Sequence, residues 1–414
     1  MVYEKILVST ALLAGVLSYA GGFRVSLQGV KQLAMAHTSA HAEDASVTFF
    51  NPAGMSFIPS KLSVVAGGFA ASNKVTFQNF NTLQSTETDN PVGTPFYAAI
   101  TYRPIEKLTV GLSVTTPFGS TIKWPNDWEG KEMVQKLELK SFYFQPMVSV
   151  KLAPWVSFGA SYIYAKGVVD WDKAVTQFGG QVNINDKKAS GHGYGFGFYF
   201  RPDPKLDVSI AYRSAIDMKA KNGTATFQFP SQSIYNQLKL NAAGQDGFSA
   251  TLPLVEEYTI GLTYKVTPKW QVSADFNYHG WERYSKLTLD FENAPIGNNP
   301  SDPTVLTSPK NFKNSKTFRL GTQYAFTNMI YGRLGAYYDE APYTTENFIP
   351  ETPSYDTYVI TGGIGFKLKQ FGIDIAGGYA MPQYRNVNNA NLGFYGQSKA
   401  TAFYLGLGLS YNPF

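Results

Sequence analysis

The chain has 414 residues, a formal net charge of +5 and no cysteine, and only 16% of its residues are charged. The lack of cysteine excludes disulfides and thiolate metal sites, and so small a charge over this length gives no indication of a nucleic-acid partner. Aromatic residues make up 15% of the chain and there are 38 glycines, a composition without long apolar runs that is typical of an outer-membrane β-barrel.

Residues 1–20 have the pattern of a secretory signal peptide. Lys5 provides a short basic region, the stretch from Ile6 to Leu17 is apolar, and Ser18 and Ala20 fit a small-x-small cleavage site. The apolar stretch is shorter than the roughly 20 residues that a transmembrane helix needs. We therefore predict a mature chain that begins at Gly21.

Residues 21–60 predict a small, partly helical plug. Val25, Val30 and Leu33 follow a loose helical spacing. The segment ends in Asn51-Pro52-Ala53, which has no strand periodicity. Because Pro52 removes a backbone donor and restricts Asn51, these residues predict an ordered irregular turn just before the first strand.

His37 and His41 are four residues apart. On a helix this spacing would put both imidazoles on one face, as metal ligands require. No third ligand is evident, so the prediction is no metal and no cofactor, with polar contacts between plug and barrel wall as the role of both histidines.

From residue 61 to 414 the chain repeats an alternating run followed by a turn. In one run Tyr258, Ile260, Leu262 and Tyr264 alternate with small or polar residues. A period of two places one set on each face of a strand. The apolar set is expected to face lipid and the other set the lumen.

The turns between these runs alternate between short and long, which predicts about 14 antiparallel strands. The fold class is therefore an all-β transmembrane barrel, with both termini on the short-turn, periplasmic side. The predicted short turns are 103–107, 153–155, 201–205, 266–269, 326–328 and 369–372, and the predicted long loops are 73–94, 118–138, 171–190, 222–250, 289–314, 340–355 and 384–399.

A barrel of this size has a lumen too wide for its own side chains to fill. It is either an open pore or a plugged barrel, and residues 21–60 can provide the plug. The predicted lumen face is rich in Gly, Thr, Ser and Tyr, which argues against an ion-selective pore.

Short motifs recur along the chain in a fixed order, in segments 22–23, 42–45, 51–55, 115–119 with Trp128, 212–214, 252–253, 280–281, 311–313 and 320–321. Taken in this order, they resemble the FadL-type outer-membrane transporters of long-chain fatty acids and their toluene-transporting relatives. The resemblance covers nearly the whole mature chain.

The resemblance implies a plug, called the hatch in that family, inside a 14-strand barrel of a Gram-negative outer membrane. A hydrophobic ligand would be captured at an outer groove and passed to a pocket above the hatch. Movement of the N-terminus would then let it leave sideways at an inward kink of the third strand, here Pro117-Phe118-Gly119. The implied protein is a monomer surrounded by outer-membrane lipid, and it performs no catalysis.

The family pocket holds a carboxylate with two basic groups and a hydroxyl, which align with Lys173, Lys313 and Thr116. By the predicted strand directions all three lie at extracellular strand ends. The family has arginine where Lys173 stands, and lysine cannot form the same bidentate contact. Solvated lysines at loop bases are the alternative. Phe23 aligns with a phenylalanine that reaches the pocket, and ordinary plug packing is its alternative.

The predicted loop 222–250 carries an apolar cluster with helix-like spacing. Exposed apolar clusters tend to mark binding sites, so this loop is predicted to supply most of the outer capture groove. The cluster consists of Ile234, Tyr235, Leu238 and Leu240.

Three other functions compete with fatty-acid transport. An enzyme would need a nucleophile with a base, but His192 has no Gly-x-Ser-x-Gly elbow to accompany it. A structural or adhesive barrel would not need the Asn51-Pro52-Ala53 hatch motif. A channel for neutral aromatic hydrocarbons is the main alternative to a fatty-acid transporter, since both cargoes suit an apolar route.

Overall fold

The computed structural model describes residues 21–390 and 392–413, so the predicted signal peptide and Phe414 lie outside the described residues. The described residues form the predicted closed barrel of fourteen antiparallel strands, because β1 pairs with β14 as well as with β2. The strands are β1 Leu62–Asn79, β2 Phe96–Ile105, β3 Leu108–Thr115 with Gly119–Lys123, β4 Lys136–Ala153, β5 Val156–Val175, β6 Gly180–Asp203, β7 Leu206–Arg213 with Ile216–Gln228, β8 Gln245–Leu254 with Glu257–Thr267, β9 Trp270–His279 with Lys286–Phe291, β10 Val305–Pro309 with Ser315–Ala325, β11 Ile330–Asp339, β12 Thr357–Leu368, β13 Phe371–Asn389 and β14 Phe394–Tyr411.

The period-two pattern places side chains as predicted. In β8, Ile260 and Leu262 are exposed on the outer face, while Thr259 and Thr263 are buried in the lumen. The same holds in β14, where Leu405, Leu407 and Leu409 are exposed outward. A continuous apolar outer face is what a barrel needs in order to sit in lipid.

The short turns lie where the sequence predicts them, but several long loops are shorter than predicted. The connection between β5 and β6 is only 176–179 instead of 171–190, that between β7 and β8 is 229–244 instead of 222–250, and that between β13 and β14 is 390–393 instead of 384–399. These strands continue through polar residues, for example in the pairing of Asp172 with Asn183. The sequence predicts loops for the alternating polar residues at these strand ends, whereas in the structure they belong to the strands.

Helices are few and short. The interior segment contains α1 Val30–Leu33 and the 3₁₀ helices Ala45–Phe49 and Pro52–Phe57. The loops carry α2 Gln232–Gln237 and the 3₁₀ helices Thr176–Phe178, Trp281–Arg283 and Thr345–Asn347, and a short strand, Ser85–Glu87, pairs with β1. No helix within the described part of the chain is long and apolar enough to cross a membrane.

Residues 22–58 lie inside the barrel and are nearly all buried. The helical spacing expected here extends for one turn only, because Ala36 and His37 adopt left-handed conformations with φ of 58° and 59°. This segment is called the hatch below.

An ion pair fixes the hatch internally, between Lys31 and Asp44. Burial opposes ionisation of the Asp44 carboxyl, but the Lys31 ammonium and the hydrogen bonds from Lys31 and Ser46 outweigh burial. The net effect lowers the pKa of Asp44, so this carboxylate stays charged beside its partner.

Asn51-Pro52-Ala53 attaches the hatch to the wall. The Asn51 side chain accepts a hydrogen bond from Ala53 N (2.9 Å) and donates to Phe198 O (2.9 Å) on β6. The Ala53 carbonyl accepts from Ser149 Oγ (3.0 Å) and Ser157 Oγ (2.7 Å). The proline occupies the first turn of a 3₁₀ helix, where its missing N–H costs nothing.

Replacing Gly159 with alanine should weaken this attachment. A Cβ at Gly159 would lie 2.3 Å from Ala53 N, and such overpacking costs about 1–3 kcal/mol. We expect a lower unfolding temperature, measured as the heat-dependent shift of the folded barrel on a gel, and faster proteolysis of the hatch. Gly68→Ala is the matched control, since a Cβ at Gly68 would have its nearest neighbour, Pro95 O, at an ordinary contact distance of 3.6 Å. Identical behaviour of both variants would contradict the attachment.

Candidate ligand cavity and lateral opening

Strand β3 is broken between Thr115 and Gly119. Its lower half pairs with β2 up to the match of Thr115 with Tyr97, and its upper half pairs only with β4. Ser141 of β4 spans the break, because its N–H and its hydroxyl both donate to Phe118 O, at 2.9 and 2.8 Å. The wall therefore stays closed on the β4 side and loses its ladder on the β2 side.

The hatch N-terminus occupies the missing strand position. Val25 N donates to Pro117 O (2.7 Å) and Gly119 N donates to Phe23 O (2.9 Å), so Arg24 and Phe118 form an antiparallel bridge. These bonds satisfy backbone groups that a membrane cannot satisfy.

A lateral opening of about 320 Å³ lies at this break. Its inner end reaches Tyr337 and Asp339 of β11, and its outer end reaches Phe96 and Phe142 on the lipid side. Hatch residues 24–27 line its floor. The predicted kink residues Phe118 and Gly119 border the opening, while Pro117 lies on its buried inner side.

An inner cavity of about 100 Å³ adjoins the opening and shares Phe118, Gly119 and Leu139 with it. Phe23 is fully buried in the wall of this cavity. The centroid of its ring lies 4.9 Å from that of Trp281 and 5.8 Å from that of Tyr284. The rest of the wall is mostly apolar and includes Leu137, Trp171, Ile184, Met218, Phe248, Leu254, Leu289 and Ile349.

The basic groups of the cavity differ from those that the sequence suggested. Lys313 points outward, 48% exposed and 4.0 Å from Glu340. Its neighbour Asn311 is left-handed, with φ of 50°, and this turn puts Lys310 inside instead. Lys310 is 3% exposed and pairs with Glu351 at 3.1 Å.

Lys173 and Thr116 also lie beside the cavity rather than in its wall. The Lys173 ammonium sits over the Trp171 ring at 5.5 Å and interacts electrostatically with Glu351 and Lys310. Thr116 lines the lateral opening, where its hydroxyl lies 3.4 Å from Phe96 O.

An ion network that the sequence did not predict holds the start of the hatch. Arg24, 8% exposed, lies 3.3 Å from Asp339 and 3.5 Å from Glu257. Next to it, Gly22 N donates to Ser354 Oγ (3.1 Å) in the loop between β11 and β12. The charge of Arg24, which has no other charged residue within six positions on either side, is the one sequence signal for this network.

The predicted capture cluster is only partly available at the surface. Leu238 is buried at 2% exposure, and Tyr235 packs on Phe229 with ring centroids 5.7 Å apart. Ile234 and Leu240 are half-buried. Phe80 and Leu83, in the loop after β1, are 52% and 69% exposed.

The histidines of the hatch and of the barrel wall contact neighbouring side chains. Burial lowers the pKa of His41 to about 4, and its ring bonds Thr38 Oγ1 (2.8 Å) and Ser273 Oγ (3.2 Å). His37 packs beside Phe50. His192 lies on the outer face against Tyr162. Among the described residues no group of three or more His, Cys, Asp or Glu could hold a metal ion.

Known proteins share this architecture. The FadL homologue of Pseudomonas aeruginosa aligns with a TM-score of 0.82 and 16% identity, covering 95% of this chain and 100% of that one. The P. putida toluene transporter TodX aligns with a TM-score of 0.73 and 13% identity, over 95% and 98%. The Ralstonia pickettii toluene transporter TbuX aligns with 0.69 and 14%, over 93% and 98%. These identities establish the fold alone.

Sequence comparisons extend the likeness. The 47 kDa outer membrane protein of Pasteurella multocida (strain Pm70) is 24% identical over 208 residues, which cover 49% of this chain and 46% of that protein. The match thus spans about half the length of that relative. The model of the family described as outer membrane protein transport protein (OMPP1/FadL/TodX) matches residues 11–412. The chain belongs to this family of outer-membrane transporters.

Proposed function

We propose that this protein carries small hydrophobic molecules passively across the outer membrane and releases them sideways into it. The observation that carries the proposal is the junction of the inner cavity with the lateral opening at Phe118. The apolar cavity suits a ligand that a water-filled pore would disfavour.

The route has three stages. A hydrophobic molecule binds at the extracellular loops and enters the cavity beside Phe23. Displacement of the N-terminal segment 22–25 then joins the cavity to the opening, and the molecule leaves past Phe96 and Phe142. Each stage moves down a concentration gradient and needs no catalysis. The short turns and both termini face the periplasm. The barrel closes on itself as a monomer, and the hatch N-terminus covers the gap in the ladder at β3.

Neutral hydrophobic molecules are the cargo that the cavity favours. Its buried Lys310 is already compensated by Glu351, so a ligand carboxylate would meet a like charge as well as a cation. At about 100 Å³ the inner cavity is smaller than the apolar cavity of about 150 Å³ that binds benzene. A ligand with one aromatic ring would therefore extend into the adjoining lateral opening of about 320 Å³.

Long-chain fatty acids remain the second candidate. Lys173 interacts electrostatically with Glu351, Lys310 and Glu132, and it brings a second basic group close to the cavity. A long chain would have to extend from the inner cavity into the lateral opening.

A disulfide across the break should stop transport. Arg24 and Phe118 are bridge partners, a spacing of about 4.5–5.5 Å between Cα atoms that a disulfide can span. In the double variant Arg24→Cys/Phe118→Cys, uptake of a radiolabelled hydrophobe should fall on oxidation to the rate of cells that lack the protein. Reduction should restore it.

The controls are the two single-cysteine variants, and the chain contributes no native cysteine. Because oxidised and reduced protein are the same folded variant, misfolding cannot explain a difference between them. Equal uptake in both states would show that segment 22–25 does not need to leave the break.

The outer capture stage gives a second prediction. Phe80→Ser/Leu83→Ser should raise the substrate concentration for half-maximal uptake roughly five- to tenfold, since lost apolar burial of about 1–1.4 kcal/mol weakens capture. The maximal rate should not change. Ile234→Ser is the parallel variant for the loop 229–244, and the larger shift identifies the principal capture loop. If neither variant raises the substrate concentration for half-maximal uptake, the proposal that these loops capture the substrate is wrong.

A further inference from the structure

The polar corner of the inner cavity has features that an apolar cargo alone does not explain. Glu351 and Thr352 line the cavity beside Lys310. Glu351 Oε1 accepts from Lys310 Nζ at 3.1 Å, but Glu351 Oε2 and Thr352 Oγ1 are buried without a hydrogen-bond partner. Among the described residues lining this cavity, these are the only buried side-chain N or O atoms left unpartnered.

An unpartnered buried carboxylate oxygen costs free energy. The chain nevertheless holds this corner in place from both sides. Pro350 O accepts from Trp124 Nε1 (3.2 Å), and Thr352 O accepts from the Tyr343 hydroxyl (2.8 Å). These two bonds from buried aromatic side chains fix the backbone on both sides of Glu351.

We propose that this corner recognises a hydroxyl group, so that the preferred cargo is a neutral hydrophobic molecule with one hydroxyl, such as an alkylphenol. The proposal rests on the proposed function and specifies its cargo. The ligand hydroxyl donates to Glu351 Oε2, and its oxygen accepts from Thr352 Oγ1. Its apolar body packs against Trp171, Phe248 and Leu289.

The charges select against the two neighbouring ligand classes. A carboxylate presents only acceptors and would face the Glu351 carboxylate, whose charge already balances Lys310. A pure hydrocarbon leaves Glu351 Oε2 and Thr352 Oγ1 unpartnered. A hydroxyl, which both donates and accepts, satisfies the two atoms together.

Calorimetric titration of the protein in nanodiscs, with empty nanodiscs as blank, tests the assignment. The probes are 4-propylphenol, 4-propylanisole, propylbenzene and 4-propylbenzoate, which share one apolar body. The phenol should bind about ten- to a hundredfold more tightly than the anisole, the range expected for a hydrogen bond to a charged group. The anisole can still accept from Thr352 Oγ1, so it should bind more tightly than propylbenzene and less tightly than the phenol.

The variant Lys310→Met/Glu351→Met removes the ion pair without leaving a buried charge unpaired, an exchange that proteins often tolerate. It should lose the preference for phenol over anisole and still bind propylbenzene, which also shows that the cavity is intact. Thr352→Val should remove the difference between the anisole and propylbenzene and keep the preference for the phenol, which comes from Glu351.

The alternative outcomes are distinct. Equal binding of phenol, anisole and propylbenzene by the unaltered protein would overturn hydroxyl recognition and leave the transport function standing. Tightest binding of the benzoate would overturn it in favour of acid cargo. A phenol preference that survives in Lys310→Met/Glu351→Met would place the recognition elsewhere. Failure of every probe to bind would count against the proposed function itself.

Discussion

The structure depends on one constraint, that backbone hydrogen-bonding groups inside a membrane need partners within the protein. Strand β3 breaks this rule on its β2 side above Thr115, and the chain satisfies it again with residues 23–25 of the hatch. The wall of this barrel is therefore complete only while the hatch N-terminus is in place. In the proposed route, displacement of these few residues opens the wall.

The hatch is attached unevenly. At Asn51-Pro52-Ala53 it is bonded to β4, β5 and β6 by short hydrogen bonds, and Gly159 and Gly197 leave room for the close approach. At its N-terminal end it depends on Arg24 with two carboxylates, on Gly22 with Ser354, and on the bridge to Phe118. The first region suits a fixed anchor, and the second suits an element that moves when a ligand presses on Phe23.

The sequence predicted the barrel well because its signal is repeated in every strand. Alternation such as that of β8 fixes which face is apolar, and the strict order of short and long turns fixes an even strand count. Loop lengths were predicted poorly, since polar residues at 172 and 183 pair in a ladder as readily as apolar ones. The helical spacing of the hatch failed at Ala36 and His37, where backbone conformation overrides periodicity.

The candidate site was harder to predict than the fold. Lys313 seemed to be the pocket lysine because it follows a matching motif, but the left-handed Asn311 reverses which of two nearby lysines points inward. The partner of Lys310 is Glu351, 41 residues away in the chain, and no local pattern connects them. The pairing of Arg24 with Glu257 and Asp339 is equally non-local. Contacts of this kind follow from how the hatch and the loops pack inside the barrel, which residue spacing does not encode.

The most direct test of the lateral route is anomalous diffraction from crystals of the protein soaked with a brominated alkylbenzene. For a lateral route we expect bromine density in two places, the inner cavity beside Phe23 and the opening between Phe96 and Phe142. Segment 22–25 should be displaced where the second site is filled. Bromine density along the barrel axis past an undisturbed bridge between Arg24 and Phe118 would contradict it.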